Sequence, residues 1–340
     1  MAVPYLPTVL ATPAINPAEG SSGANPVPYI STSEYLYAPT AMATGTLVPG
    51  KTTADQTQAL ADTIRRASAW ADRLCFGADP ASKGASLAAS LSVESIWTTV
   101  KQGELRLICD YKPILELVGC DLGNDPSSVT SIGTLSSGVR FGRRTIYVPF
   151  WGLPFRSGDS APNTPPIPST YGRMYAVWSY VNGYPHTQLV DSVTAGATSC
   201  VVSATDGNGG LWGVYPASGA FAGTELTIYD GQYTETVYVQ GVTTGTTTTT
   251  LTTSAFANAH TVPTAPDFIP VSAVPSDVHQ AVISLTTMLI KTRGARALVL
   301  PNNIGGQANK QSLGQAGVLE DWQIAEMLLT PYRIRMKAKN

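Results

Sequence analysis

Two amphipathic stretches, 53–77 and 275–300, constrain this chain most, because each exposes an apolar stripe that needs a partner and almost two hundred residues separate them. The first reads TADQTQALADTIRRASAWADRLCFG. Leu60, Ile64, Ala67, Ala71 and Leu74 recur at helical spacing, which gathers them on one face. Asp62, Arg65, Arg66, Asp72 and Arg73 fall mostly on the other sides. Thr53 with Gln56 fits a capping box, and Gly77 suits a helix stop. The second stretch opens at Ser276 after Pro275 and carries Val278, Ala281, Val282, Leu285, Met288 and Leu289. Burying each large apolar side chain is worth about 1.5–3 kcal/mol. Each stripe is therefore the simplest cover for the other. A third apolar face, Leu319, Trp322, Ala325 and Leu329, follows near the end.

The sequence between the helices has another rhythm. SIWTTV, ELRLIC, PILELVG, RTIYVPF and MYAVWSYV are short β-prone runs broken by Gly, Pro, Asn and Asp, which is strand-and-turn punctuation. Residues 224–229 and 234–240 alternate around Asp230-Gly231, a hairpin signal. The threonine tract 246–253 suits an exposed strand. Six prolines within 1–30 favour an extended arm lying along another subunit, and five more crowd 150–170. Ser31 with Glu34 caps a short helix that Pro39 ends. The expected fold class is α+β. A small helical bundle from 31–90 and 265–340 carries two inserted antiparallel β regions, 91–192 with its proline-rich loop and a barrel- or sandwich-like unit at 193–264. An extended N-terminal arm occupies 1–30.

Composition narrows the function classes. Charged residues make up 13% of the chain and net charge is −2. A broadly basic nucleic-acid binder is not expected. Low charge with much Thr, Ser, Gly and Pro fits a β-rich virion or extracellular protein. No apolar run approaches a membrane span, and no Lys or Arg precedes Lys51. We expect synthesis in a cytoplasm and no membrane partner. Cys75, Cys109, Cys120 and Cys200 lack metal-site spacing and read as buried thiols.

Motifs for chemistry are few. Residues 45–52, GTLVPGKT, match the P-loop pattern G-x-x-x-x-G-K-[ST]. Pro49 has no N–H to offer a phosphate, and no buried strand precedes Gly45. A turn leading into the helix is the better reading, and Lys51→Ala would affect nucleotide binding only if the match were real. His186, His260 and His279 show no ligand spacing, and no G-x-S-x-G marks a nucleophile. Glu225, Asp230 and Glu235 read as solvated turn and edge charges rather than a glycosidase pair. We expect no catalytic, cofactor-binding or metal residues. The segment from Tyr332, with Arg333, Arg335, Lys337 and Lys339, is the one concentrated basic stretch. It suits docking on an acidic partner or near DNA phosphate.

Ala67, Ser68, Asp72 and Cys75 form an Ala-Ser-x-x-x-Asp-x-x-Cys element. A later helix opens after Pro275, and a basic end follows Pro331, Tyr332, Arg333 and Arg335. In this order of parts the chain resembles the head–tail adaptor (connector) proteins of long-tailed double-stranded DNA bacteriophages. The resemblance covers mainly 31–77 and 265–340. YVNGYPHT at 180–187 and the GTELTIYDGQYTETVYV hairpin look like β insertions of longer, actinobacteriophage-type members. It implies a non-enzymatic structural protein of the virion neck, between capsid vertex and tail, that uses no cofactor. Such proteins form a ring, usually of twelve subunits, beneath the portal. The ring extends the channel through which DNA passes without sequence-specific binding. It offers a surface to a stopper or tail-completion protein, with the capsid a further contact. The resemblance makes Tyr332, Arg333, Arg335, Lys337 and Lys339 the portal-docking residues. Leu60, Ile64, Leu74, Val282, Leu285, Leu289 and Trp322 make the helical core. The competing readings are a tail-completion or decoration protein and, behind these, a P-loop or glycan-cleaving enzyme.

Overall fold

The computed structural model describes residues 27–45, 47–76, 86–101, 104–123, 125–127, 129–131, 139–142, 144–149, 173–206, 209–292 and 318–333. The arm at 1–26, Gly77, the proline-rich stretch 150–170, the end of the second amphipathic stretch at 293–300, the loop 301–315 and the tail from 334 lie outside them. The fold is mixed α+β, with helices at both ends of the chain and antiparallel sheets between.

Helix α1 is Thr32–Tyr37 and α2 is Thr53–Phe76. Ser31 caps α1 as expected, its Oγ accepting from the Glu34 N–H at 3.0 Å. The α2 cap sits one residue earlier than expected. Thr52 accepts from the Asp55 N–H, and Asp55 Oδ2 accepts from the Thr52 N–H at 3.1 Å. A capping box joins the N-cap to the third helical residue, and Thr53 is already the first. Gln56 does a different job. Its amide brackets the Val48 peptide, donating to the Val48 carbonyl at 2.6 Å and accepting from the Val48 N–H at 2.7 Å.

After α2 the chain forms β1 (Ser90–Lys101), β2 (Glu104–Ile108), β3 (Ile114–Gly123), β4 (Thr130–Ser131), β5 (Arg140–Phe141), β6 (Thr145–Pro149) and β7 (Arg173–Asn182). Among the described residues these make one seven-stranded sheet, in the order β4-β3-β7-β1-β2-β6-β5. Central β7 is buried on both faces from Met174 to Asn182, which explains why MYAVWSYV is almost continuously apolar rather than alternating. Gly183 turns the chain out of β7 with φ +96°. A Cβ there would lie 2.6 Å from the Ala88 carbonyl oxygen, so only glycine fits.

The second sheet contains β8 (His186–Gln188), β9 (Ser199–Ser203), β10 (Glu225–Ile228), β11 (Glu235–Thr244), β12 (Thr248–Thr253) and β13 (Pro270–Ser272). Its order is β8-β13-β10-β11-β12-β9. Strands β8 and β13 thus join from outside 193–264. The hairpin expected at Asp230-Gly231 is present, with a 3-10 turn at Gly231–Tyr233 between β10 and β11. The threonine tract is not the exposed strand expected. Strand β12 lies between β11 and β9, and Thr249, Leu251 and Thr253 are buried. Threonine is tolerated inward because its methyl packs while its hydroxyl can reach a backbone acceptor, as Thr249 Oγ1 does on Gly209 at 2.6 Å.

The chain then returns as α3 (Ser276–Lys291) and α4 (Val318–Leu329), followed by a 3-10 turn at Thr330–Tyr332. Helix α3 packs against both α2 and α4. Leu60, Ile64, Val282 and Leu285 are buried, whereas Leu74, Leu289 and Trp322 pack at the margin of the same cluster. The stripe expected on α3 widens to most of its circumference. His279, Ile283, Ser284, Thr286, Thr287 and Ile290 are buried too. A helix buried all round is the core of its assembly rather than one half of a pair. Its threonine hydroxyls find partners: Thr286 donates to the Val282 carbonyl at 2.8 Å, and Thr287 lies 3.2 Å from the Tyr35 hydroxyl. Leu285→Ala should lower unfolding free energy by about 2–5 kcal/mol, and Leu289→Ala by distinctly less. Urea titration of the two variants measures the difference.

Candidate docking surface at the root of the C-terminal tail

The expected docking residues divide at the last described position. Arg335, Lys337 and Lys339 lie outside the described residues, whereas Tyr332 and Arg333 are built into the fold. Ala325 and Leu329 are fully buried against α2 and α3, and Trp322 meets Trp70 edge to face at 6.2 Å. Lys291 reaches across to Asp321 at 2.7 Å. Beyond the helix, the Pro331 carbonyl accepts from Lys112 Nζ at 2.9 Å. The Tyr332 ring lies edge-on to Tyr184 at 6.2 Å. Burial, and then the neighbouring Asp277 carboxylate, push the Tyr332 hydroxyl up to about 12. Arg333 donates to Glu326 at 2.9 Å. Arg333, expected to meet an acidic partner, is therefore already paired within the chain. Glu326 is seven residues earlier on α4, and the turn at Thr330–Tyr332 brings the two together.

Beside this anchor lies a cleft of about 320 Å³ between the helical core and the first sheet. Tyr184, Tyr332, Phe141, Pro113, Pro331 and Ile114 supply most of its wall, with Lys112 at its edge. Phe141 is about half exposed. The wall is aromatic and proline-rich, a surface suited to extended chain rather than to a charged small molecule.

The remaining polar clusters hold the fold together. Tyr29 inserts its hydroxyl between Asp72 and Ser86, and the backbone N–H groups of Leu87 and Ala88 donate to it. Asp72 Oδ1 also accepts from the Leu87 N–H at 2.9 Å. Asp72 was expected on the polar side of α2. Its residue retains some exposure, yet its carboxyl is enclosed, and burial raises it to about 7. Burial likewise raises Glu94 to about 7, even though Tyr180 and the Asp110 N–H donate to it. The Tyr29 and Ser86 partners of Asp72 carry no local pattern that would have announced them.

Each histidine is buried and hydrogen-bonded through at least one ring nitrogen, while His279 Nε2 has no partner. His186 lies 2.9 Å from Ser272 Oγ and 3.0 Å from the Pro28 carbonyl. His279 lies 2.7 Å from Glu34 Oε1 and stacks on Tyr229 at 3.9 Å. His260 sits between Asp230 and Glu235 at 3.0 and 2.8 Å. Asp230 and Glu235 are thus not merely solvated turn charges. Burial would raise the Glu235 carboxyl, but the Ala257 and Asn258 N–H groups and His260 outweigh it and hold it below its ordinary value. The arrangement pins 256–260 onto the β10–β11 hairpin. Glu225 lies at the start of β10 with its side chain exposed.

The P-loop lookalike is a closed turn. The N–H groups of Leu47, Val48 and Lys51 are committed to Thr44, Gln56 and Val48 respectively, so they do not converge on an anion. The four cysteines are free and buried, and burial raises Cys75, Cys109 and Cys200 to about 12 and Cys120 further still. Among the described residues no cluster of three His, Cys, Asp or Glu side chains is placed to hold a metal. No described helix is long and apolar enough to cross a membrane. No protein-family profile, curated protein or solved structure matches this chain.

The raised Asp72 carboxyl makes stability depend on pH. Its ordinary value is 3.8 and its folded value about 7, so between these the folded state holds a proton that the unfolded state has lost. Stability from this group is full below the lower value and declines as pH rises through the upper one. Asp72→Asn keeps an oxygen for Tyr29 and Leu87 and should flatten the decline. Unfolding free energies of both proteins across pH 4–8 (a range set by the linkage of about 3.8 to about 7) should converge at the acidic end.

Proposed function

We propose that this chain is a structural assembly protein of the head–tail adaptor type. It would form a ring between a portal and a stopper or tail, around a channel that DNA crosses. The observation that carries the reading is the fixed root of the C-terminal tail. Pro331, Tyr332 and Arg333 are held by Lys112, Tyr184 and Glu326, and the residues that follow, Ile-Arg-Met-Lys-Ala-Lys-Asn, carry three more positive charges. A basic peptide leaving a rigid post pairs readily with carboxylates on a partner, because arginine and lysine form charge-assisted hydrogen bonds. The low overall charge density supports the channel role, since a strongly basic wall would retain DNA phosphate. The helical core, closed by segments far apart in sequence, supplies the rigid body that a ring subunit needs.

The anchoring contacts define the test. Removing 331–340 would strip contacts from α4 and the first sheet along with the tail, so the informative truncation begins at 334. The protein lacking 334–340 should unfold at the same temperature as the whole chain and fail to attach to portal-bearing capsids. Changing Arg335, Lys337 and Lys339 to Glu should do the same at full length. Co-sedimentation with the capsids measures attachment. Normal attachment of either variant would remove the docking claim, and a reconstruction showing this chain away from the capsid vertex would remove the adaptor reading as a whole.

A further inference from the structure

The cleft beside the tail root presents rings and prolines to whatever enters it. Tyr184 and Tyr332 meet edge to face, Phe141 is about half exposed, and Pro113 and Pro331 complete the wall. Aromatic walls of this kind accept the proline rings and small apolar side chains of an extended peptide. Lys112 is the single charged residue of the lining. An uncharged peptide therefore suits the cleft better than the basic residues 334–340, which would bring like charge to Lys112.

The chain carries such a peptide at its own start. Residues 1–17, MAVPYLPTVLATPAINP, hold four prolines, a P-x-x-P at Pro4–Pro7, and no charged side chain. Residues 18–26, AEGSSGANP, then bring two glycines and two serines before Val27. Glycine and serine leave a tether free to turn in any direction. The far end of that tether is fixed close to the cleft. The Pro28 carbonyl lies 3.0 Å from His186 Nε2, and the Tyr29 and His186 rings are 5.3 Å apart. His186 is two residues from Tyr184 of the cleft, at most about 7 Å along the backbone. With the length of the His186 side chain added, the gap to be crossed is on the order of 15 Å. A nine-residue tether of this composition has an r.m.s. span of about 15–18 Å. Span and gap match whichever way the chain leaves Val27. A tether that matches its gap is the most effective one, and it holds the peptide at an effective concentration of about millimolar. A second copy at micromolar concentration competes at a disadvantage of roughly a thousandfold.

We propose that residues 1–17 occupy this cleft in their own molecule, with 18–26 as the tether. Each chain then covers its own aromatic wall beside the root of the C-terminal tail. The sequence pattern suggested an arm lying along another subunit, whereas the short gap between Pro28 and Tyr184 assigns the arm to the molecule that carries it. The proposal goes beyond the adaptor reading and does not depend on what residues 334–340 bind.

The test uses the whole chain with Tyr5→p-benzoylphenylalanine, a photoreactive side chain placed on the arm. Heavy-isotope-labelled and unlabelled protein are mixed in equal amounts at micromolar concentration and irradiated. A Glu-specific protease then cuts after Glu19, which separates the arm from the rest, and mass spectrometry reads the crosslinked pairs. Crosslinks should fall on residues 112–114, 141–142, 184 or 331–332, and both halves of each pair should carry the same isotope. Adding Phe141→Ser, a change at a half-exposed position, should lower the yield about tenfold or more. Free peptide 1–17 should halve the yield only at a concentration on the order of 1 mM, which reads the effective concentration directly. Pairs of mixed isotope would place the arm in a neighbour's cleft and overturn the proposal. Crosslinks elsewhere in the chain, no crosslinks, or half-competition by micromolar peptide would overturn it too. So would an unchanged yield in a Phe141→Ser protein whose melting temperature is unchanged. If Phe141→Ser does not fold, the crosslink positions and the isotope pairing decide by themselves. Portal attachment by residues 334–340 is untouched by all of these outcomes, so the two readings fail separately.

Discussion

Burial of helix α3 is the constraint on which the rest of the structure depends. It is apolar or hydroxyl-bearing on most of its surface, and it arrives only after both sheets have been threaded. Covering it takes α2 on one side, α4 on another, and the Tyr29–Tyr35 segment. Each of these comes from a different part of the chain. The helical core can therefore close only when the first and last parts of the sequence meet, which makes it a long-range structure despite its helical content.

The polar contacts around that core have a common design. Tyr29 with Asp72, Glu34 with His279, and Thr32 with Asp267 each join residues that are tens or hundreds of positions apart. Each ties the short segment before α2 to something that comes later. They are buried or nearly so, and an unmet partner in such a site costs more than the bond itself contributes. That asymmetry gives the fold specificity at its seams. Burial at such contacts also raises the carboxyls of Asp72 and Glu94.

The tail root and the cleft share this logic. The last helix ends against Lys112, just before β3, and Tyr184, just after β7. Sheet and helical core therefore meet at the place from which the basic tail leaves. A partner bound there would sense both bodies at once. The same meeting forms the aromatic groove, which Tyr184, Pro331 and Phe141 line together.

How much was legible in the sequence follows from how local each signal was. Periodicity placed α2, α3 and α4, because an apolar stripe is a property of neighbours three and four positions apart. The cap of α1 and the Asp230–Gly231 hairpin were legible for the same reason. Candidate-site reading stopped at the tail: Tyr332 and Arg333 were visible as part of a basic run, but their partners Tyr184 and Glu326 were not. Only the tertiary structure decided that β12 lies inside its sheet, since a threonine tract reads alike whether its methyls pack or face water. Only it decided that α3 is buried all round, that Asp72 faces inward, and that Asp230 and Glu235 grip His260. Those outcomes depend on what arrives from distant sequence to cover a surface, and a linear pattern carries the surface but not its cover.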